Sequence, residues 1–234
     1  RLCLSSTEVV LTKQPGHLQA SLLAASCSLL AAEATQKLGK DPEQLLRQAL
    51  NLLEQCLNKH PNFLWAFQSL SIAYYMLGVH FQLHGDIPRA KEMLRKSLEK
   101  YISETSLDPK YNYAHAGILL TFWAMIPEIY SVDELNRIVS DADSWLEKCN
   151  AINREYSQCY NNHFQIYVRI VERLLLLEQD PQLKLKSAFV NLAETRRLGG
   201  SQLDAEQHAV LAHLVEAKAS IRRRQDPSLA LAEL

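Results

Sequence analysis

The sequence predicts an all-α protein built as an array of antiparallel helix pairs, an α-solenoid with about 46 residues in each repeat. Three observations indicate this class. Only 7 Gly and 8 Pro occur among 234 residues, while residues of high helix propensity are abundant. A motif that begins with Asp-Pro and continues with Leu and Ala at helical spacing recurs along the chain. Its copies lie at a fixed distance, which is typical of repeat architectures.

The motif reads "KDPEQLLRQAL", "QDPQLKLKSAF" and "QDPSLALAEL", and "GDIPRAKEMLRKSL" is a fourth version. Pro42 and Pro88 are 46 residues apart, as are Pro181 and Pro227, and Pro42 and Pro181 are 139 residues apart. The last distance is about three times 46, so one further copy is expected between Pro88 and Pro181. It should begin near Ser131, where "YSVDELNRIV" has a capping residue before an apolar pattern. Proline is tolerated in a first helical turn, so each copy predicts a helix start.

A second break follows each helix start, in "NKHPN", "SLDPK", "KCNAIN" and "RLGGS". Each repeat is therefore predicted to hold two helices. We expect helices near 17–38, 42–58, 62–84, 87–105, 110–126, 132–149, 153–178, 182–197 and 202–224, with another beginning near 227.

The predicted organisation is an N-terminal extension over residues 1–16 and a repeat domain over residues 17–234. This domain holds about four helix pairs and the start of a fifth. The chain begins at Arg1 without an initiator Met, from which we expect a piece of a longer protein.

The charge balance argues against nucleic acid and anionic membrane as partners, because the formal net charge is only −1. No run of 18 apolar residues is evident, and we expect no membrane span.

The five cysteines, Cys3, Cys27, Cys56, Cys149 and Cys159, are scattered and form no C-x-x-C pair. This pattern predicts small buried thiols in a reducing compartment, and hence a cytoplasmic location.

"LWAFQSLSIAYYMLG" resembles the first helix of a tetratricopeptide repeat, and "GDIPRAKEMLRKSLEKY" resembles the turn and second helix. "LDP" at 107–109 is similar to the closing proline of that family. The first helix departs from the family pattern because it is longer by about two turns. Long-helix versions of this kind resemble repeats that follow the kinase domain in some bacterial serine/threonine kinases, although no kinase motif lies in this chain.

The resemblance implies a superhelix whose inner face is built mostly from the first helix of each pair and binds a partner peptide or helix. Family positions that face this groove fall on Trp65, Gln68 and Tyr75, and one repeat later on Tyr113 and Trp123. Aromatic residues suit the anchoring of apolar side chains. They are also the usual content of a core between helices.

Asn161 and Asn162, in "QCYNNHFQIY", are further candidates for partner binding, because Asn is unfavourable within a helix. A hydrogen bond to a partner's backbone explains them, and so does simple exposure to solvent.

Few residue patterns along the chain indicate metal binding or catalysis. His80 and His84 have the spacing of a two-histidine metal site, but no third ligand is evident, and we expect neither metal nor cofactor. Arg222, Arg223 and Arg224 are read as helix-capping charges. There is no G-x-S-x-G motif and no Gly-rich phosphate loop, so an enzyme is not expected.

The sequence therefore predicts a module that binds a protein or peptide. Two alternatives remain open, namely a regulatory segment of a larger bacterial kinase and a scaffold that self-associates through residues 227–234.

Overall fold

The computed structural model describes residues 2–14, 17–198 and 213. In this part of the chain the regular structure is helical, with no β-strand. The helices are α1 (Leu2–Lys13), α2 (Leu18–Lys37), α3 (Glu43–Lys59), α4 (Leu64–Leu83), α5 (Ile87–Leu107), α6 (Asn112–Met125), α7 (Val132–Ile152), α8 (Ser157–Leu176) and α9 (Gln182–Arg197), and a short 3-10 turn, Ile126–Glu128, follows α6. The all-α prediction is confirmed.

The predicted helices between residues 17 and 197 correspond in order to α2 through α9, with bounds that differ by four residues or fewer. Helix α1 lies within the segment that was expected only to be an extension, and it packs against α2. The helices predicted at 202–224 and from residue 227, together with Arg222, Arg223 and Arg224, lie outside the described residues.

The Asp-Pro motif starts helices in the way its residue types predict. Asp41 Oδ1 accepts a hydrogen bond from the Glu43 N–H (2.8 Å) at the start of α3. Asp180 Oδ1 accepts one from the Gln182 N–H (3.0 Å) at the start of α9. In both cases the proline is the residue before the helix, where the absence of its N–H leaves no hydrogen bond unmade.

The chain divides into two compact units, Arg1–Gly117 (unit 1) and Ile118–Leu234 (unit 2), and the division falls within α6. In unit 1, α2 packs on α3, α3 on α4 and α4 on α5. Short turns connect these helices, so consecutive helices are antiparallel neighbours. The core that joins them is rich in leucine, and Leu46, Leu53, Leu70, Leu77 and Leu94 are each at most 1% exposed.

In unit 2, α8 is the central helix and packs against both α7 and α9. It has buried residues around most of its circumference, including Phe164, Ile166 and Ile170. The guanidinium of Arg173 donates to the carbonyl of Ile129 from Nη2 at 2.7 Å and from Nε at 3.0 Å. These two hydrogen bonds connect α8 to the segment that follows the 3-10 turn.

The cysteines correct one expectation. Cys149 and Cys159 form a disulfide, Cys27 is disulfide-bonded as well, and Cys56 is a buried free thiol. The burial of these four cysteines is confirmed, but the prediction of free thiols is wrong for three of them. For Cys149 and Cys159 the reason is the short turn between α7 and α8, which brings them to a Cα–Cα distance of 6.7 Å, and two cysteines so placed can be bridged.

Helix α2, with 20 residues, is long and apolar enough to cross a membrane by length and composition. This is weak evidence, because buried helices of soluble proteins meet the same condition. Ala25 and Ala32 of α2 are fully buried in the leucine-rich core of unit 1, so α2 has a packing role in the fold.

Candidate functional site

Helix α4 presents one apolar face to the core and a second, mixed face away from it. Ala66, Leu70 and Ala73 are at most 1% exposed. Trp65 is 60% exposed at the start of the same helix. Because Trp65, Gln68 and Tyr75 recur at helical spacing, they share the second face. The sequence leaves open whether Trp65 is core or surface, and the structure places it at the surface.

A hydrogen bond joins α4 to the segment that begins α6. The hydroxyl of Tyr111 donates to Gln68 Oε1 at 2.7 Å and thereby fixes the orientation of the Gln68 amide. The Tyr111 and Tyr113 rings lie 6.2 Å apart, centroid to centroid, and Tyr113 is 46% exposed. Three of the predicted binding residues of unit 1 (Trp65, Gln68 and Tyr113) thus lie on α4 and α6, and Tyr111, just before α6, links the start of α6 to α4. We call the four residues Trp65, Gln68, Tyr75 and Tyr113 the aromatic face.

Behind this face lies Tyr101 of α5, which was not a candidate from the sequence. Tyr101 is 2% exposed. Its pKa is raised well above 10, first by burial, then by the nearby Glu104 carboxyl group and by the hydroxyls of Tyr113, Tyr75 and Tyr111. Tyr75, Tyr111 and Tyr113 therefore lie within electrostatic reach of Tyr101 at the junction of α4, α5 and α6.

Gly117 makes this junction possible. A Cβ atom at residue 117 would lie only 2.3 Å from Cε1 of Tyr101. The absence of a side chain at this point of α6 therefore leaves the space that the Tyr101 ring fills.

The other predicted binding residues lie in unit 2. Trp123, on α6, is half-buried and lies under the Arg169 guanidinium, whose carbon is 4.8 Å from the ring centroid. This cation–π contact gives Trp123 a role within unit 2 itself.

Asn161 and Asn162 differ from each other in their surroundings. Asn162 is 3% exposed, and its Oδ1 accepts a hydrogen bond from Gln158 Nε2 at 2.7 Å. Asn161 is half-buried, and among the described residues its Oδ1 is buried without a hydrogen-bond partner. The burial of Asn162 rules out solvent exposure, one of the two explanations that the sequence allowed for it.

A polar group in unit 2 was also missed from the sequence. Asp143 Oδ1 accepts hydrogen bonds from His163 Nε2 (2.8 Å) and from the Tyr167 hydroxyl (2.9 Å). Burial works to raise the Asp143 pKa, but these two hydrogen bonds, together with the charges of His163 and Lys184, outweigh it, and the pKa is lowered. The group links α7 to α8. The i, i+4 spacing of His163 and Tyr167 is visible in the sequence, but Asp143 lies 20 residues before His163, so spacing alone does not connect them.

No protein-family profile matches the chain, and no curated protein matches it in sequence. Among solved structures it is similar to that of a thermophilic TPR protein of Thermus thermophilus. The TM-score is 0.53 at 20% sequence identity, and the match covers 89% of this chain and 88% of that one. At this identity the likeness shows the fold. The chain has an all-α helical-repeat fold similar to that of this TPR protein.

Proposed function

We propose that this chain is a protein–protein interaction module that binds a peptide segment of a partner protein on the aromatic face of unit 1. The observation that carries the proposal is the exposure of Trp65, 60% on a helix whose opposite face is fully packed. A large aromatic side chain that stabilises nothing in its own core is a natural anchor for a partner.

The neighbouring polar groups suit a peptide backbone. Gln68 is held by Tyr111 at 2.7 Å, so its amide is oriented before a partner arrives, and less conformational entropy is lost on binding. The likeness to tetratricopeptide repeats supports the same surface, since α4 and α6 are the first helices of their pairs, which in that family line the concave face of the superhelix. Proteins of this class typically bind without chemistry, and we propose no enzymatic activity.

Several finer statements stay predictions. They are the origin next to a bacterial kinase domain and a signalling role, the cytoplasmic location, and the exclusion of nucleic acid and membrane. Self-association through residues 227–234 also stays a prediction, because these residues lie outside the described part of the chain. Disulfides are typical of oxidising compartments, so the location is best tested directly, by fractionating cells that express the natural protein.

The proposed function is tested by selecting peptides from a random display library on the immobilised full chain, followed by fluorescence anisotropy of the selected peptides. We expect Trp65→Ala to weaken their binding by roughly tenfold or more, the effect of losing a binding hot spot. Trp145→Ala is the matched control, because Trp145 lies on α7, a second helix of a pair. Selected peptides that bind Trp65→Ala as tightly as the wild type would overturn the proposal, as would a selection that yields no peptide above background.

A further inference from the structure

The fold brings three metal-ligating side chains of unit 1 together from two places in the sequence. Asp41 lies in the turn between α2 and α3, Glu43 is the first residue of α3, and His80 lies near the end of α4. One ligand atom of each residue lies within 4.8 Å of the ligand atoms of the other two. We propose that Asp41, Glu43 and His80 form a Zn²⁺ site that joins the α2–α3 turn to the end of α4.

His80 supplies the buried nitrogen ligand. Its side chain is almost entirely buried, and its Nε2 faces Asp41 Oδ1 at 3.3 Å. In its neutral form the imidazole ring has a lone pair available for a metal. In the sequence this histidine has no evident third ligand, because Asp41 lies 39 residues away along the chain.

The two carboxylates approach from the solvent side and are already positioned. The Asp41 side chain is 69% exposed, so an ion can enter from water. The Glu43 N–H donates to Asp41 Oδ1 at 2.8 Å, and this local turn holds both carboxylates at the start of α3. Each carboxylate oxygen has more than one lone pair, so this hydrogen bond does not use up the ligand capacity of Asp41.

The donor types and the distance between His80 and Asp41 favour zinc over magnesium or calcium. Ligands at 2.0–2.2 Å in a tetrahedral site lie roughly 3.3–3.6 Å from one another, and the His80–Asp41 distance of 3.3 Å meets this condition. Magnesium and calcium prefer sets made only of oxygen, whereas an imidazole suits zinc. Three protein ligands leave a fourth position for water.

His84 lies beside this group, with its ring centroid 4.3 Å from that of His80. Its Nδ1 is 2.8 Å from the His80 carbonyl oxygen. A hydrogen bond of this kind places the proton on Nδ1 and the lone pair on Nε2, as in many metal-bound histidines. His84 therefore lies beside the site, whose three protein ligands are Asp41, Glu43 and His80.

Two arginines compete with a metal for Glu43. Arg47 donates to Glu43 Oε1 from Nε at 2.8 Å, and Arg89 Nη1 lies 3.9 Å from the same oxygen. Both arginine side chains are more than half exposed. Exposed ion pairs contribute little because solvent screens them, so a divalent ion that bonds Glu43 and Asp41 together displaces them.

The test is titration of the full chain with ZnCl₂ in chelator-free buffer, followed by isothermal calorimetry and by thermal unfolding. We expect one zinc ion to bind at this site and to raise the Tm. Asp41→Asn should weaken that binding at least tenfold, because the amide keeps the oxygen that caps Glu43 but loses the charge. Glu43→Gln should act in the same direction. Asp41 is exposed and Glu43 is only half-buried, so the variants should fold even where a change at His80 would not.

Asp180→Asn is the matched control, since Asp180 has the same Asp-Pro motif and accepts the same hydrogen bond from Gln182. It should bind zinc like the wild type. The proposal is overturned if zinc causes no change in the wild-type Tm, or if Asp41→Asn and Glu43→Gln bind zinc as tightly as Asp180→Asn does.

Discussion

Ser71 Oγ of α4 lies 2.6 Å from Glu104 Oε1 of α5, and both residues are fully buried. The same hydroxyl lies 2.9 Å from the Phe67 carbonyl oxygen, and one hydroxyl hydrogen cannot serve two acceptors. A protonated Glu104 resolves this, because its own O–H then donates to Ser71 Oγ. Burial indeed raises the Glu104 pKa to about 8, against the smaller opposing effect of the Ser71 hydrogen bond. Glu104 is thus a neutral side chain in the core at pH 7.

The first prediction concerns the pH dependence of stability. The folded pKa of about 8 lies above the ordinary value of 4.5, so on raising the pH the unfolded chain releases this proton first. The contribution of Glu104 is therefore fully present below pH 4.5 and is lost as the pH rises to 8, by about 1.4 kcal/mol per pH unit. Urea unfolding at pH 5, 6, 7 and 8 measures it. Glu104→Gln should remove this slope.

Glu99→Gln is the control for that experiment, because Glu99 lies on the same helix but is exposed and paired with Arg95. Its free energy of unfolding should follow the wild-type pH profile. If Glu104→Gln keeps the wild-type profile too, the carboxyl group is not held neutral in the folded state.

The second prediction concerns Gly117. Ala is ordinarily more favourable than Gly within a helix by about 1 kcal/mol. Gly117→Ala should nevertheless destabilise the protein by about 1–3 kcal/mol, because the new Cβ would lie 2.3 Å from Tyr101 Cε1. Denaturant unfolding of the variant checks the sign. Adding Tyr101→Leu to Gly117→Ala should cost less than the sum of the two single changes, whereas additive costs would mean that the two residues do not meet.

The third prediction separates the two faces of α4. Trp65→Ala should change the free energy of unfolding by less than about 0.5 kcal/mol, because the side chain is exposed. Leu70→Ala should cost about 2–5 kcal/mol, since Leu70 is 1% exposed and a cavity would remain. Circular dichroism during urea unfolding measures both. A loss of several kcal/mol in Trp65→Ala would assign Trp65 to the core and remove the basis of the proposed binding face.

The helices could be predicted from the sequence because their start signals are local. An Asp-Pro pair followed by helical spacing determines where α3 and α9 begin, and the hydrogen bonds from Glu43 and Gln182 to the preceding aspartates show the mechanism. Helix α1 was missed because it has no such signal. The free-thiol prediction failed for a related reason, since the pairing of Cys149 with Cys159 depends on how two helix ends meet.

The candidate sites could be predicted only in part, because they combine residues from separate helices. Trp65 and Tyr113 follow from one repeat pattern. The hydrogen bond between Tyr111 and Gln68 spans 43 residues, and the approach of Asp41 to His80 spans 39. No local sequence spacing predicts either contact, because each depends on how separate helices pack together.

The last prediction concerns the disulfide between α7 and α8. Cys149 and Cys159 are 10 residues apart, and a cross-link that closes a loop of this size stabilises a protein by about 2–3 kcal/mol through the unfolded chain. The variant in which both residues are changed to Ala should lose about that much in urea unfolding. Cys56→Ala is the control, because Cys56 is a buried free thiol whose change removes no cross-link. Peptide mapping without reductant should recover 149 and 159 in one linked fragment from the wild type. Separate fragments that both carry free thiols would show that the bond does not form. In that case the double variant should lose only the stability that two buried thiol side chains contribute, and no cross-link contribution.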